Sequence, residues 1–177
     1  MENASIDELF ARALRGEYDD EPAWEAVRAL RRIGSCEVFD RAADWCRSND
    51  PLQRARGADV LAQLGKTPEH PSNSFPEESY RAISEMLLRE TEILPLEAAI
   101  TALGHLDNPA AIPLIIAHQN HPTCDVRFAV AFALGSFPNE AESIRTLLTL
   151  MDDSDDDYVI GPVYETNSGN VAGHSLK

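Results

Sequence analysis

A repeated register of small and large apolar residues constrains this chain more than any other feature. Gln53-Arg54-Ala55-Arg56-Gly57-Ala58-Asp59-Val60-Leu61-Ala62-Gln63-Leu64-Gly65 can be laid over Val126-Arg127-Phe128-Ala129-Val130-Ala131-Phe132-Ala133-Leu134-Gly135-Ser136-Phe137. In both, an Arg is followed by small or apolar residues at +3, +4, +6 and +7, then by Leu or Phe at +10. The same frame fits Ala26, Val27, Ala29, Leu30 and Ile33, and again Ala99, Ile100, Ala102, Leu103 and Leu106. The +7 leucines, Leu30, Leu61, Leu103 and Leu134, are spaced 31, 42 and 31 residues apart. Extra chain from Lys66 to Pro76 accounts for the long interval. Two helices in a period near 31 residues specify a helical solenoid, in which each pair stacks on the next. The small residues have a physical reason. The first helix of each pair is packed on two sides, and Ala and Gly let helix axes approach toward the short end of the ~8–10 Å range.

Local signals agree with an all-α chain. Ser5 and Glu8 form a capping box ahead of the stripe Ile6, Leu9, Phe10, Ala13 and Leu14, and Gly16 follows as a left-handed stop. A second helix runs from near Pro22 to Ile33 and ends at Gly34; a third begins after Ser35, with Phe39, Ala42, Ala43 and Cys46 on one face. Asn108-Pro109 opens another, in the favoured order of cap and proline. Asn139 with Glu142 opens one more, expected to bury Ile144, Leu147, Leu148 and Met151. No stretch alternates like a half-buried strand. The expected organisation is a helical-repeat domain over 1–160: a capping helix at about 5–15, four repeats at about 20–151, and an incomplete fifth. An irregular tail follows at 161–177, where Gly161-Pro162 interrupts the pattern and Gly, Ser and Asn accumulate.

Asp125-Val126-Arg127 followed by Ala129-Val130-Ala131-Phe132-Ala133-Leu134-Gly135 resembles the HEAT repeat, in the short bacterial form also found in phycobilisome lyases. The resemblance covers roughly residues 20–157. It implies a right-handed α/α superhelix of antiparallel helix pairs, with the second helices lining the inner curve. The family's Asp/Arg pair stands at Asp125/Arg127, is partial at Asp50/Arg54, and is lost where Ala23 and Leu96 replace the Arg. Any ladder of ion pairs between repeats is therefore interrupted.

Charge narrows the partners. The 177 residues carry 30 Asp and Glu against 15 Lys and Arg, a net charge of −15, yet 44% of residues are apolar, enough for a packed domain. Such an excess repels phosphate backbones and anionic lipid, so nucleic acid and membrane are not expected partners. Of the 15 cations, 13 are Arg and only Lys66 and Lys177 are Lys, a balance that suits fixed ion pairs. Cys36, Cys46 and Cys124 form no paired framework, the start has no basic-then-apolar leader, and the expected location is the cytoplasm.

Two groups of residues invite a metal reading. His118, His121 and Cys124, with Asp125 beside them, have a metal-like spacing but lack a closed set of four ligands, so they are weak metal candidates and no metal is expected. The acidic run Asp152, Asp153, Asp155, Asp156 and Asp157 fails the EF-hand frame, which puts Tyr158 where Gly is needed. Its acids suit a helix first turn instead. No histidine is followed by Glu, which sets aside the di-iron hydroxylases of the HEAT-repeat kind, and no phosphate loop or nucleophile elbow is present. No cofactor is expected.

The candidate partner-binding residues are Arg41, Trp45, Arg81 and Glu85 on the second helices, because Trp and Arg are frequent interface anchors. The Lys66–Pro76 insertion is a further candidate binding edge, the alternative being a tolerated surface insertion. The expected function is a protein-protein interaction module or scaffold with a partner of basic surface, and self-association through the uncapped C-terminal end. The alternative, implied by the resemblance, is a bilin lyase-isomerase or its chaperone-like subunit acting on phycobiliproteins.

Overall fold

The computed structural model describes residues 4–151. Over that range the chain forms nine α-helices and no strand. They are α1 (Ile6–Ala13), α2 (Glu21–Ile33), α3 (Cys36–Trp45), α4 (Pro51–Ala62), α5 (Pro76–Leu87), α6 (Ile93–His105), α7 (Ile112–Ile116), α8 (Cys124–Leu134) and α9 (Ala141–Leu150). A 3-10 turn, Pro109–Ala111, leads into α7. The acidic run 152–157, the interruption at Gly161-Pro162 and the tail 161–177 lie outside the described residues.

Side-chain caps set some helix starts, whereas α2, α5, α6, α8 and α9 begin without one, and α9 starts from Glu140 and not from the expected Asn139. The Ser5–Glu8 box is complete, with the Glu8 carboxylate accepting from the Ser5 N–H at 2.8 Å. Ser35 Oγ accepts from Val38 N, and Asn108 Oδ1 from Ala110 N. Gly34 closes α2 at φ 59°. That is a left-handed conformation open to glycine at little cost, and a Cβ there would also meet the Gly65 backbone at 2.9 Å.

The helices stack in two rows, giving an α-solenoid. α2, α4, α6 and α8 form one row; α1 and then α3, α5, α7 and α9 form the other. The first-helix row is the tight one. α4 packs along α6, and α6 along α8, while α3 and α5, or α7 and α9, touch at only a few positions. Every residue of α4 from Ala55 to Ala62 is buried. Gly104 shows how close the row comes: a Cβ there would lie 2.7 Å from Ala133 Cα. A stack whose one row is closely spaced and whose other row is splayed bends toward the close row. The inner side is therefore the row of first helices, which reverses the placement of the second helices implied by the resemblance. The reason is the small-residue register itself, which shortens the spacing of the helices that carry it.

Polar ties between units differ from a regular ladder. Asp50 caps α4 through Leu52 N rather than pairing with Arg54. Arg54 instead forms a bidentate bridge at 2.7 and 3.0 Å to Glu90, in the turn before α6. Arg127 donates to the carbonyls of His121 and Pro122. The Lys66–Pro76 insertion is tied down: buried Asn73 donates to Leu61 O at 2.7 Å, and Lys66 Nζ donates to His105 O at 2.5 Å. On α9 the buried face is Ser143, Thr146 and Leu150, not the expected stripe. Ile144 and Leu148 are 44% and 57% exposed, because α7 and α8 meet the helix on its other side.

The close contact of α6 and α8 makes a signed prediction. An unconstrained Gly→Ala change inside a helix stabilises by about 0.4–1 kcal/mol. Gly104→Ala is expected to destabilise by about 1–3 kcal/mol, because the added methyl meets backbone that cannot rotate away. Urea unfolding followed by circular dichroism reads the sign directly; a gain in stability would mean that α6 and α8 do not meet at this point.

Candidate interaction groove on the first-helix row

Each first helix turns one face away from the core. In the repeat frame this face holds the +1 and +5 residues, four apart and so on one side of a helix. Among them Trp24 on α2, Asp59 (itself largely buried) on α4, Glu97 and Thr101 on α6, and Phe128 and Phe132 on α8 reach the groove, whereas Arg28 on α2 and Ala55 on α4 do not. Because the row is close and curved, these faces line one groove of about 620 Å³. Leu94, His105, Asp125 and Tyr18 complete its rim and floor.

One end of the groove is a buried charge network. Arg56 is fully buried at the base of α4. Its Nε donates to Ala13 O at 3.0 Å, its Nη2 to Tyr18 O at 2.5 Å and its Nη1 to Asp59 Oδ2 at 3.3 Å. Its guanidinium lies 4.3 Å from the Tyr18 ring centre and 4.8 Å from that of Trp24. The Tyr18 hydroxyl donates to both Asp59 oxygens, at 3.1 and 3.0 Å, and Arg31 Nε donates to Asp59 O at 2.9 Å. Burial pushes the Asp59 carboxyl up to about 6, a rise that the Arg31 and Arg56 charges oppose. Burial, reinforced by Asp59, also raises the Tyr18 hydroxyl and keeps it a neutral donor. The arrangement fixes the Trp24 and Tyr18 rings, edge to face at 5.7 Å, as a rigid wall.

The other end is acidic and aromatic. Glu97 is half-buried on α6 and faces Asp125 in the first turn of α8. Burial, followed by the Asp125 charge, pushes the Glu97 carboxyl up to about 7. On the floor between the two ends His105 meets Phe132 edge to face at 5.8 Å. Burial, with Arg31 and Lys66 nearby, lowers its pKa and favours the neutral imidazole.

The partner-binding residues expected from the sequence are not brought together. Arg41 is bound to α1, with Nη1 at 2.5 Å from Asp7 and its guanidinium 4.2 Å from the Phe10 ring centre. Trp45 is half-buried and packs edge-on against Phe10 at 4.7 Å. Arg81 and Glu85 are both exposed and line a second groove, of about 420 Å³, between α3 and α5. His118, His121 and Cys124 follow the short α7. His121 Nδ1 accepts from Thr123 N at 3.1 Å, and Cys124 Sγ lies 3.9 Å from Asp125 Oδ1. Among the described residues no three His, Cys, Asp or Glu side chains are disposed to hold a metal ion. The first-helix groove was missed by sequence reasoning, although the +1 and +5 positions, filled unlike the uniform +3, +4 and +7, carried a signal for it.

Glu97 links the groove to pH. Its folded pKa is raised above the unfolded value, so its contribution to stability is full below the unfolded pKa and is lost as pH rises through about 7. Asp59 acts in the same direction through about 6. Between about pH 5 and 8 the Tm of Glu97→Gln is therefore expected to fall less than that of the parent chain. Differential scanning fluorimetry across that range measures it, and superimposable profiles would show that Glu97 is not desolvated.

Residues 80–165 match the family model for HEAT repeats. No curated protein matches the chain. The match begins in α5 and takes in α6 and α8, the two helices that hold Glu97, Thr101, Phe128 and Phe132. With its paired helices stacked in two rows, the described part of the chain is an α-solenoid, and its residues 80–165 are similar to HEAT repeats.

Proposed function

We propose that this protein is a non-catalytic interaction module or scaffold, and that the groove across α2, α4, α6 and α8 engages a partner polypeptide. The observation that carries the reading is the composition of that groove. Half-buried Trp24, Phe128 and Phe132 stand beside carboxylates on a rigid four-helix floor. Aromatic anchors of this kind, set in a preformed depression, contribute most of the energy in many protein interfaces. HEAT repeats commonly serve protein binding, which agrees. The net charge of −15 favours a partner whose contacting surface is basic, mainly through the rate of encounter. No helix among the described residues is long and apolar enough to cross a membrane. The cytoplasm is the proposed place of work. The exposed Ile144 and Leu148 of α9 are the described apolar part of the surface proposed for self-association.

Affinity capture from the source cell at moderate salt tests the reading, with two variants that separate the surfaces. Thr101→Arg places a long cation in the middle of the first-helix groove, at a half-buried site. It is expected to lower partner recovery by about ten-fold or more, the scale of an interface hot spot. The double variant Arg81→Glu, Glu85→Arg changes the groove between α3 and α5 and is expected to leave recovery unchanged. The opposite pattern would transfer the function to the second helices, and recovery of nothing but the protein itself would remove the adaptor reading. The bilin lyase-isomerase alternative rests on the repeat resemblance alone. Co-expression with a bilin and an acceptor subunit, with colour passing to the acceptor, would put it in place of the binding module.

A further inference from the structure

We propose that the groove receives a polypeptide segment whose arginine or lysine side chain enters between Glu97 and Asp125, its apolar neighbours lying along Leu94, Phe128 and Phe132. The inference rests on the reading of this groove as the partner surface and gives that partner a chemistry. Charge complementarity carries it. The cationic groups at the far end are already engaged: Arg56 with Asp59, and Arg31 with the Asp59 carbonyl and, at 5.7 Å, the Trp24 ring. Glu97 and Asp125 are different. They project from adjacent helices into the same groove, and among the described residues no ion pair engages either carboxylate.

Two carboxylates facing one another across the groove repel, and half-buried Glu97 also loses hydration there. A guanidinium or ammonium group between them relieves both costs. Its methylene stem meets the apolar wall of Leu94 and the Phe128 ring, the contact that long cationic side chains make while keeping the charged head polar. An anionic occupant would add a third like charge, and a purely apolar one would leave both carboxylates desolvated without a partner. The groove thus selects a basic residue flanked by apolar ones over either alternative.

The acid pair also gives the docking a proton signature. Asp125 is the charge on the neighbouring helix α8 that faces Glu97; Arg31 on α2, Asp59 on α4 and His105 on α6 line the groove further along. With its carboxyl pushed up to about 7 by burial and by Asp125, Glu97 holds a proton part of the time at neutral pH. A cation arriving beside it favours the ionised form, so docking expels that proton and tightens as pH rises from about 6 to 8.

Two-dimensional ¹H–¹⁵N spectra of the full chain test this, with N-acetyl-arginine methylamide as the probe and the neutral N-acetyl-citrulline methylamide as its control. The arginine probe is expected to shift the amides of Glu97, Thr101, Asp125 and Phe128 in a saturable way. The citrulline probe should bind at least about five-fold more weakly. Arginine affinity should rise several-fold from about pH 6 to 8, and the ¹³C-carboxyl midpoint of Glu97 should fall when the probe saturates. In Glu97→Gln, Asp125→Asn the arginine shifts should vanish while the remaining spectrum, and hence the fold, stays in place. Equal shifts from citrulline, or arginine shifts spread over other acidic surfaces and surviving in that variant, would overturn the inference. If the probe fails but Thr101→Arg still abolishes partner capture, the cation pocket falls and the groove keeps its function. If the probe binds and Thr101→Arg leaves capture intact, the pocket stands and the partner surface lies elsewhere.

Discussion

The contact on which the rest of the structure depends is the close approach of successive first helices. Where Gly104 meets Ala133, the backbone of α6 comes within reach of the backbone of α8, with no room for a side chain between them. Small residues along α4, α6 and α8 keep this row tight, while the second helices touch one another at only a few positions. Curvature follows from that difference in spacing, and the groove follows from the curvature. Substituting larger residues along the row would therefore change both the stability and the shape of the surface offered to a partner.

Arginine does much of the work that connects one unit to the next. The sequence favours fixed ion pairs for its 13 Arg. The bridge between Arg54 and Glu90 is one, and it is largely buried. Guanidinium groups also cap backbone carbonyls. Arg56 donates to Ala13 O and Tyr18 O, Arg89 to Cys46 O, and Arg127 to His121 O and Pro122 O. Carbonyls at helix ends have no partner within their own helix, and a planar group with five donors reaches several from one position. A lysine offers no such fork.

The register that specified the fold concerned core positions, where packing allows only small or apolar residues, so it was legible in one dimension. The groove occupies the complementary positions. Trp24, Glu97 and Phe128 share the +1 position, and Asp59, Thr101 and Phe132 the +5 position, but as a string they are simply unlike one another. Their common feature is a direction in space. Trp45 is a second case. Its size and the charged residues around it suggested a rim anchor, yet α1 covers it through Phe10, a residue 35 positions earlier in the chain. A lone helix stripe does not reveal which neighbour will lie against its edge.

By itself, then, the sequence determined the all-α class and the unit period, because each depends on interactions within a few residues: apolar spacing and small-residue registers. It also determined the acidic balance, which follows from composition alone. Only the tertiary structure decided which row is inner, and that Arg56, Asp59 and Tyr18 form a single buried network. It likewise decided that Glu97 and Asp125, 28 residues apart, share one depression. These are contacts between units, set by how closely the helices of one row can approach, and that distance is a property of the stacked array and not of any one segment.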